Sequence, residues 1–380
     1  MKTVGLITEY NPFHNGHLYH LQRAKELCGA DHAVAVMSGN FVQRGLPAVT
    51  DKYSRTKAAL LCGVDAVAEL PVVYALSSAE GFARGAVKVL DDLGVVTDIV
   101  YGSEAGEEGL ALIRQIAYLF VEEPAEFKNA LKGFLSEGIR FPAARAFAAE
   151  KIIKGSFELL SSPNNILAVE YEKAILKTNS PIKTHTIKRN DGGYLKSASG
   201  IRAALEAGDR NGLDLLLPKK SLECINYCVK ASDFSERIGY MLSVAEEEEL
   251  ENIAGFDRDL ALRIKDLKIR PLDFDGLVKS LSAKSIPESR IRRCLFSALL
   301  RIEREAEAPD FIRILGFNKS SGILKMMKNK AKRQFACNLS DIPSESYLLD
   351  ERAALVYNET VKRRYGPEIP DEYHVGVICV

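Results

Sequence analysis

The chain carries no net charge: 51 lysines and arginines are matched by 51 aspartates and glutamates over 380 residues. The molecule as a whole therefore does not advertise a nucleic-acid partner, and any basic surface must be local. No run of about eighteen apolar residues occurs, so the sequence offers no membrane-spanning helix. Signal-peptide architecture is missing from the Met1-Lys2-Thr3-Val4-Gly5 start, and a cytoplasmic location is expected. The seven cysteines (Cys28, Cys62, Cys224, Cys228, Cys294, Cys337 and Cys379) are scattered and odd in number, which excludes a disulfide framework and points to reduced thiols. Cys224 and Cys228 stand four apart on an expected helix without a matching Cys or His pair nearby, so they read as buried thiols. No metal site made by the protein is expected. His32, His185 and His374 are isolated in sequence. The absence of a G-x-x-x-x-G-K-[ST] string and of G-x-G-x-x-G removes the P-loop and dinucleotide readings.

What is present begins at Gly5. The apolar run Gly5-Leu6-Ile7 continues through Thr8-Glu9-Tyr10, breaks at Asn11-Pro12-Phe13 and passes through His14-Asn15-Gly16-His17. Helical spacing follows at Leu18, Leu21, Ala24 and Leu27. This is a buried strand, a tight turn, and a helix whose N-terminus faces the carboxyl end of the strand, where open α/β sheets bind ligands. The helix start presents free N–H groups and the positive end of its dipole to an anion. Gly16 lets the backbone approach a phosphate, and His14 and His17, three apart, can face the same anion. A surface loop holding two histidines is the bland alternative; the position between strand and helix argues against it.

A composition of 47% hydrophobic and 27% charged residues is that of a soluble globular protein, and the length suggests two domains. Strands are expected at 4–9, 32–37, 65–70 and 99–101, and helices at 18–28, 52–62 and 78–93. Such alternation implies an α/β fold with a parallel sheet and right-handed crossovers. A helical insertion is expected at about 107–154. A helix at 163–177 with proline at its start, a strand at 185–188 and a helix at 199–207 follow. Residues 1–215 thus read as one domain and 216–380 as a mainly helical second one, in which the segment after Phe335 has no clear assignment.

Four further places fall at the carboxyl edge of the expected sheet. Met37-Ser38-Gly39-Asn40-Phe41-Val42-Gln43-Arg44-Gly45 mixes glycines, amides and an arginine, as a substrate loop does, or a surface turn. Tyr101-Gly102-Ser103-Glu104 ends a strand with a glycine against which a ribose or purine can lie. Ser162-Pro163-Asn164-Asn165 opens a helix, with amides free to cap it or to bond a base. Lys188-Arg189 precedes Ser197-Ala198-Ser199-Gly200-Ile201-Arg202, in which Ser199 is an N-cap candidate, Gly200 keeps the turn open and Arg202 lies in the first turn. Hydroxyl, free N–H groups and guanidinium make a second anion site, suited to β- and γ-phosphates. Two phosphate sites on one sheet argue for ATP cleaved at the α-phosphate.

Charge is distributed unevenly in the second half. Between Asp310 and Asp341 there is no acidic residue, while Arg313, Lys319, Lys325, Lys328, Lys330, Lys332 and Arg333 are basic; Arg290, Arg292 and Arg293 add a cluster on a helical pattern. Phosphates of a nucleic acid, or plain solvent, could face such a surface.

The strings GLITEYNPFHNGHLYHL, AVMSGNFVQRG, YGSE, SPNNIL, KR and SASGIR, with RILGFNKSSGILKMMKNK nearer the C-terminus, resemble the bacterial tRNA(Met) cytidine acetate ligase family of the HxGH nucleotidylyltransferase superfamily. The resemblance implies a Rossmann-like parallel sheet of the HxGH nucleotidylyltransferase type followed by a mainly helical C-terminal, tRNA-binding domain. It implies an ATP-dependent ligase that forms N4-acetylcytidine at the wobble position of elongator tRNA(Met) from acetate, through an acetyl-adenylate, releasing AMP and pyrophosphate. The family's ATP site falls on Ile7, Thr8, Glu9, Tyr10, Asn11, Pro12, Phe13, His14, Asn15, Gly16, His17, Leu18, Tyr19 and His20, and on Gly102, Asn164 (with Asn165 adjacent) and Arg189. Ser199 and Arg202 join them from the second anion site. His17 is assigned to the α-phosphate and His14 to the phosphate chain, both as positive groups beside Arg189 and Arg202. Gln43 and Arg44 are candidates for the acetate or cytosine end, and Arg290, Arg292, Arg293, Lys325, Lys328, Lys330, Lys332 and Arg333 for the tRNA backbone. ATP is a substrate; Mg2+ fits with its triphosphate, with no dedicated protein site. The stretch Arg189-Asn190-Asp191-Gly192-Gly193-Tyr194 departs slightly from the family's glycine placement. A small-molecule adenylyltransferase and a non-catalytic RNA-binding protein with a vestigial nucleotide site are the alternatives.

Overall fold

A computed structural model describes residues 1–189, 198–267, 273–282, 286–342 and 344–380. Strands β1 (Thr3–Thr8), β2 (His32–Ser38), β5 (Ala66–Leu70), β6 (Asp98–Ser103) and β7 (Lys183–Lys188) are mutually parallel, in the order β5-β2-β1-β6-β7. Helices Asn15–Cys28, Lys52–Leu61 and Ala79–Asp92 cross between them. β2 is buried along its whole length, as a central strand covered on both faces must be. Its side chains alternate: Ala33, Ala35 and Met37 join Leu21, Ala24, Ala58 and Leu60 beneath the first two helices, while Val34 and Val36 meet Phe82, Ala83, Ala86 and Leu90 on the opposite face.

The insertion is helical as expected, running through Leu110–Glu122, Ala125–Ser136 and Phe141–Ile152. Through Ile113, Ile116, Phe120 and Phe127 it shares the core of helices Ala79–Asp92 and Pro163–Thr178. The second half is mainly helical and has its own core, built on Phe234, Ile238, Phe274, Leu295, Phe296 and Tyr357, into which Phe41, Val72 and Leu76 reach from the first half. Residues 223–230, expected as helix around Cys224 and Cys228, are turn and irregular chain after the short helix Lys219–Leu222.

Strand signals do not end at residue 215. β8 (Ile312–Phe317) returns to the first sheet and pairs antiparallel with the outer edge of β5; β9 (Phe335–Ala336) and β10 (Ile378–Cys379) pair parallel with β8. The sheet therefore has eight strands, in the order β10-β8-β5-β2-β1-β6-β7 with β9 beside β8. The C-terminal segment completes the layer that carries the N-terminal motif.

Candidate active site

The first helix starts at Asn15, three residues before the expected Leu18, and its own side chains cap it. His14 is the N-cap: its Nδ1 accepts a hydrogen bond from the Gly16 N–H at 3.0 Å, and the His14 N–H donates to Nδ1 of His17 at 3.3 Å. The pair is a reciprocal capping box made of imidazoles. With Nδ1 of both rings accepting, the proton of each neutral ring sits on Nε2, leaving two N–H donors at the helix start. The rings stack at 3.9 Å, and His17 rests against buried Tyr10 and Phe13 at 5.1 and 5.7 Å. Gly16 is required by the cap itself, since a Cβ there would lie 2.8 Å from Cε1 of His14.

Burial, then the charges of Arg189 and Arg202, lower the His14 pKa to about 4. Burial first, then His14, His20 and Arg189, holds His17 well below the ordinary histidine range, against an opposing pull from the Pro12 carbonyl. His20, one further turn along, is lowered to about 4 by burial and Arg189, and its Nε2 is buried with no partner among the described residues. Burial and the neighbouring arginines thus favour the neutral forms of both motif histidines, so the fixed positive groups at this helix start are Arg189, Arg202 and the helix dipole.

Both guanidiniums are fixed from other elements. Arg202 donates to the Asn11 carbonyl and to the Ser199 hydroxyl, each at 3.0 Å, tying the helix Ala198–Glu206 to the turn before His14. This helix begins at Ala198, so Ser199 lies within it rather than at its N-cap, and Gly200 is a buried helical residue instead of a turn opener. Ser197 and the loop at 190–194 lie outside the described residues. Arg189 continues β7 with its N–H donating to the Ser103 carbonyl at 2.9 Å, and its Nη1 donates to Oδ1 of Asn164 at 3.0 Å. The side chain crosses Gly102, where a Cβ would lie 3.1 Å from Cγ of Arg189.

The adjacent asparagines divide their work. Asn165 is buried and holds the loop, accepting from the Ala105 N–H and donating to the Leu159 carbonyl, both at 3.1 Å. Asn164 faces Arg189. Glu104 orients the pair, accepting from Nδ2 of Asn164 at 2.5 Å and from the Asn165 N–H at 3.1 Å. Sequence reasoning places Glu104 within YGSE without giving it a role. It also passes over Arg55, whose buried guanidinium donates to the carbonyls of Glu9 at 2.7 Å, Ser38 and Thr50 at 3.0 Å, and Gly39. This arginine gathers the loops after β1 and β2.

Gln43 and Arg44 turn the hairpin between β3 (Phe41–Val42) and β4 (Leu46–Pro47). The Gln43 N–H donates to Glu9 at 2.9 Å, Arg293 donates to the Gln43 carbonyl at 3.3 Å, and Arg44 is exposed. The hairpin thus links the carboxyl edge of the sheet to helix Glu288–Leu299. On that helix Arg290 is paired with Asp257 and Arg292 with Glu288, and burial lowers the pKa of Arg293. Lys332 and Arg333 bridge to Asp91 and Asp92, and buried Arg313 donates to the Cys337 carbonyl. Lys325, Lys328 and Lys330 on helix Ile323–Lys330 are exposed. The basic residues named from sequence are thus split between structural pairs and one open lysine face.

Residues 1–368 match the family model for the HIGH Nucleotidyl Transferase. The chain is 41% identical over 353 residues to a tRNA(Met) cytidine acetate ligase of Thermoanaerobacter sp. (strain X514), covering 87% of each chain. It is 36% identical to the protein of that name in Clostridium acetobutylicum, covering both chains fully. Among solved structures, Thermotoga maritima TmcAL bound with alpha-thio ATP superposes with a TM-score of 0.92 at 34% identity, over 100% of this chain and 99% of that one.

Proposed function

The chain belongs to the HIGH nucleotidyl transferase family and, within it, to the tRNA(Met) cytidine acetate ligases, and on that premise we propose that it acetylates cytidine in tRNA(Met) with acetate and ATP. The observation that carries the reading is the convergence of His14, His17, Arg189 and Arg202 on one helix N-terminus at the carboxyl edge of the sheet. ATP lies along the segment from Ile7 to His20, with Gly102 and Asn164 at its nucleoside side and Arg189, Ser199 and Arg202 toward the phosphates.

Cytosine N4 is a weak nucleophile and free acetate is unreactive toward it, so acetate must first acquire a leaving group. An acetate oxygen attacks the α-phosphorus, and the bond to pyrophosphate breaks. Both reactants are anions, and Arg189, Arg202 and the helix dipole offset their repulsion. The Nε2–H donors of His14 and His17 are oriented before substrate arrives, so their hydrogen bonds strengthen as charge develops on the phosphoryl oxygens. A divalent ion on the triphosphate would add neutralisation there. In the second step N4 of the wobble cytidine, splayed from its loop, attacks the acetyl carbonyl; AMP departs and N4 loses a proton. Residues 1–215 supply this chemistry, and the helical residues beyond, with Lys325, Lys328 and Lys330 exposed, hold the tRNA backbone. Gln43 and Arg44 lie between the two and contact the acetate or the base.

The test is nucleoside mass spectrometry of elongator tRNA(Met) incubated with the protein, ATP and labelled acetate. Label is expected in N4-acetylcytidine and is expected to vanish in His17→Ala. ATP cleavage without label in the tRNA would sink the ligase reading.

A further inference from the structure

At the amino edge of the same sheet, on the far end of the first helix from His14, three side chains from three elements converge. Cys28 is the last residue of helix Asn15–Cys28, Asp98 opens β6, and His185 lies on β7 opposite Val100, hence on the same sheet face as Asp98. One ligand atom from each, a thiol sulfur, a carboxylate oxygen and an imidazole nitrogen, lies within 4.8 Å of the other two. No other such group of three occurs among the described residues. Cys28 and Asp98 are buried and His185 is half-buried.

Ordinary packing explains only part of this. His185 Nε2 and Asp98 Oδ1 lie 3.0 Å apart, which accounts for two of the groups. It does not account for the thiol; at Cys28 it is the carbonyl that takes part in hydrogen bonding, accepting from Lys2 Nζ at 3.0 Å. Asp98 is also set from behind, its Oδ2 accepting from the Thr97 hydroxyl at 2.7 Å, which leaves Oδ1 directed at the cluster. Outer hydrogen bonds of this kind orient metal ligands. The helix C-terminus places the negative end of its dipole at the same point, and two exposed lysines border it, Lys2 and Lys183, the latter opposite Asp98 on β7.

We propose that Cys28 Sγ, Asp98 Oδ1 and His185 Nε2 bind one Zn2+-class divalent cation, with water completing a tetrahedron. Sulfur, nitrogen and oxygen donors on three residues suit Zn2+ and Co2+ and are poor for the all-oxygen ions Mg2+ and Ca2+. On binding, the S–H bond of Cys28 breaks, the sulfur–metal bond forms and the proton goes to solvent. A thiolate and a carboxylate then neutralise the ion in a buried site. Helix Asn15–Cys28 is 14 residues long, which puts the ion about 20 Å from His14. Its role is therefore structural: it pins the first helix to β6 and β7 from the end opposite the nucleotide.

The probe is Co2+ titrated into the metal-free full-length protein, followed by absorption and pH-stat. One equivalent is expected to bind with a thiolate-to-cobalt charge-transfer band and release about one proton, and Zn2+ is expected to displace it. Cys28→Ser should abolish the band, His185→Ala should weaken binding at least tenfold, and Cys62→Ser should leave both unchanged. Should Cys28→Ser fail to fold, His185→Gln at the half-exposed position tests the site through its affinity, which is expected to fall at least tenfold. A band that survives Cys28→Ser, an affinity unaltered by His185→Ala, or an affinity weaker than millimolar in the unaltered protein would overturn the assignment.

Discussion

His14, His17 and His20 follow one another at intervals of three along one helical face, and all three titrate below the ordinary histidine range. For His14 and His20 the folded value is about 4 against an ordinary 6.5. The unfolded chain therefore takes up protons first as pH falls. Their contribution to stability is complete above about pH 6.5 and is lost progressively toward pH 4. Urea denaturation at a series of pH values should show this decline, and His14→Gln should flatten it. A polyphosphate against Arg189 and Arg202 removes part of what holds His14 down, so ATP binding should take up protons. Calorimetry at pH 6 in buffers of different ionisation enthalpy is expected to give different apparent binding enthalpies. The motif was legible in sequence because strand, turn and cap are local. The neutrality of its histidines was not, because burial and two arginines from distant elements set it. The Cys28, Asp98 and His185 cluster was equally invisible, its members being 70 and 87 residues apart in the chain.

Elements with strong periodicity were readable: the four strands and three helices expected in the first hundred residues all form within a few residues of their expected bounds. The two-residue strands β3, β4, β9 and β10 carry too little pattern to be seen and exist through their partners. The hairpin at Gly45 is one such case. Gly45 has φ +71°, and a Cβ there would strike the backbone nitrogen of Arg293, so Gly45→Ala combines left-handed strain with a clash against helix Glu288–Leu299. A loss of roughly 2–4 kcal/mol is expected in chemical denaturation. The lysine-bearing helix Ile323–Lys330 gives a contrasting case, in which substitution should spare the fold. Replacing Lys325, Lys328 and Lys330 together with alanine should weaken tRNA binding at moderate salt. It should also flatten the salt dependence by roughly 0.7–0.9 log unit for each phosphate no longer neutralised, with ATP binding unchanged. An unaltered slope would remove this helix from the tRNA surface.

At the scale of the molecule, a buried ionic knot joins the two halves. Lys52 Nζ lies 2.8 Å from Glu69 and 2.7 Å from Glu372, and it donates to the Tyr347 hydroxyl at 3.0 Å, which in turn donates to Glu69 at 2.5 Å. Lys52 opens a crossover helix, Glu69 lies on β5, and Tyr347 and Glu372 come from the C-terminal segment. Burial works against the charge on Lys52, but the two carboxylates outweigh it and raise its pKa. Lys52→Met would leave Glu69 and Glu372 buried and facing each other, with an expected loss of about 3–5 kcal/mol. Glu372→Gln in the same background should recover part of it; no recovery would show that the loss is one of packing. The sequence division at residue 215 separated strand-rich from helix-rich chain, which periodicity can do. It did not see β8 return, because one short, mostly apolar run between helices reads equally well as core of either kind.

The return of β8 also has a consequence in time. Synthesis passes Lys188, the end of β7, long before it reaches Ile312, and at 5–20 residues per second the interval is roughly 6–25 s. Throughout it, β5 is the bare margin of an otherwise formed layer, a short strand with open N–H and C=O groups. A ribosome-bound chain of this protein therefore passes through a stage when a neighbouring polypeptide can occupy the place kept for its own last segment. Slower elongation should raise the insoluble fraction of newly made protein, and supplying residues 305–380 in trans during synthesis should lower it.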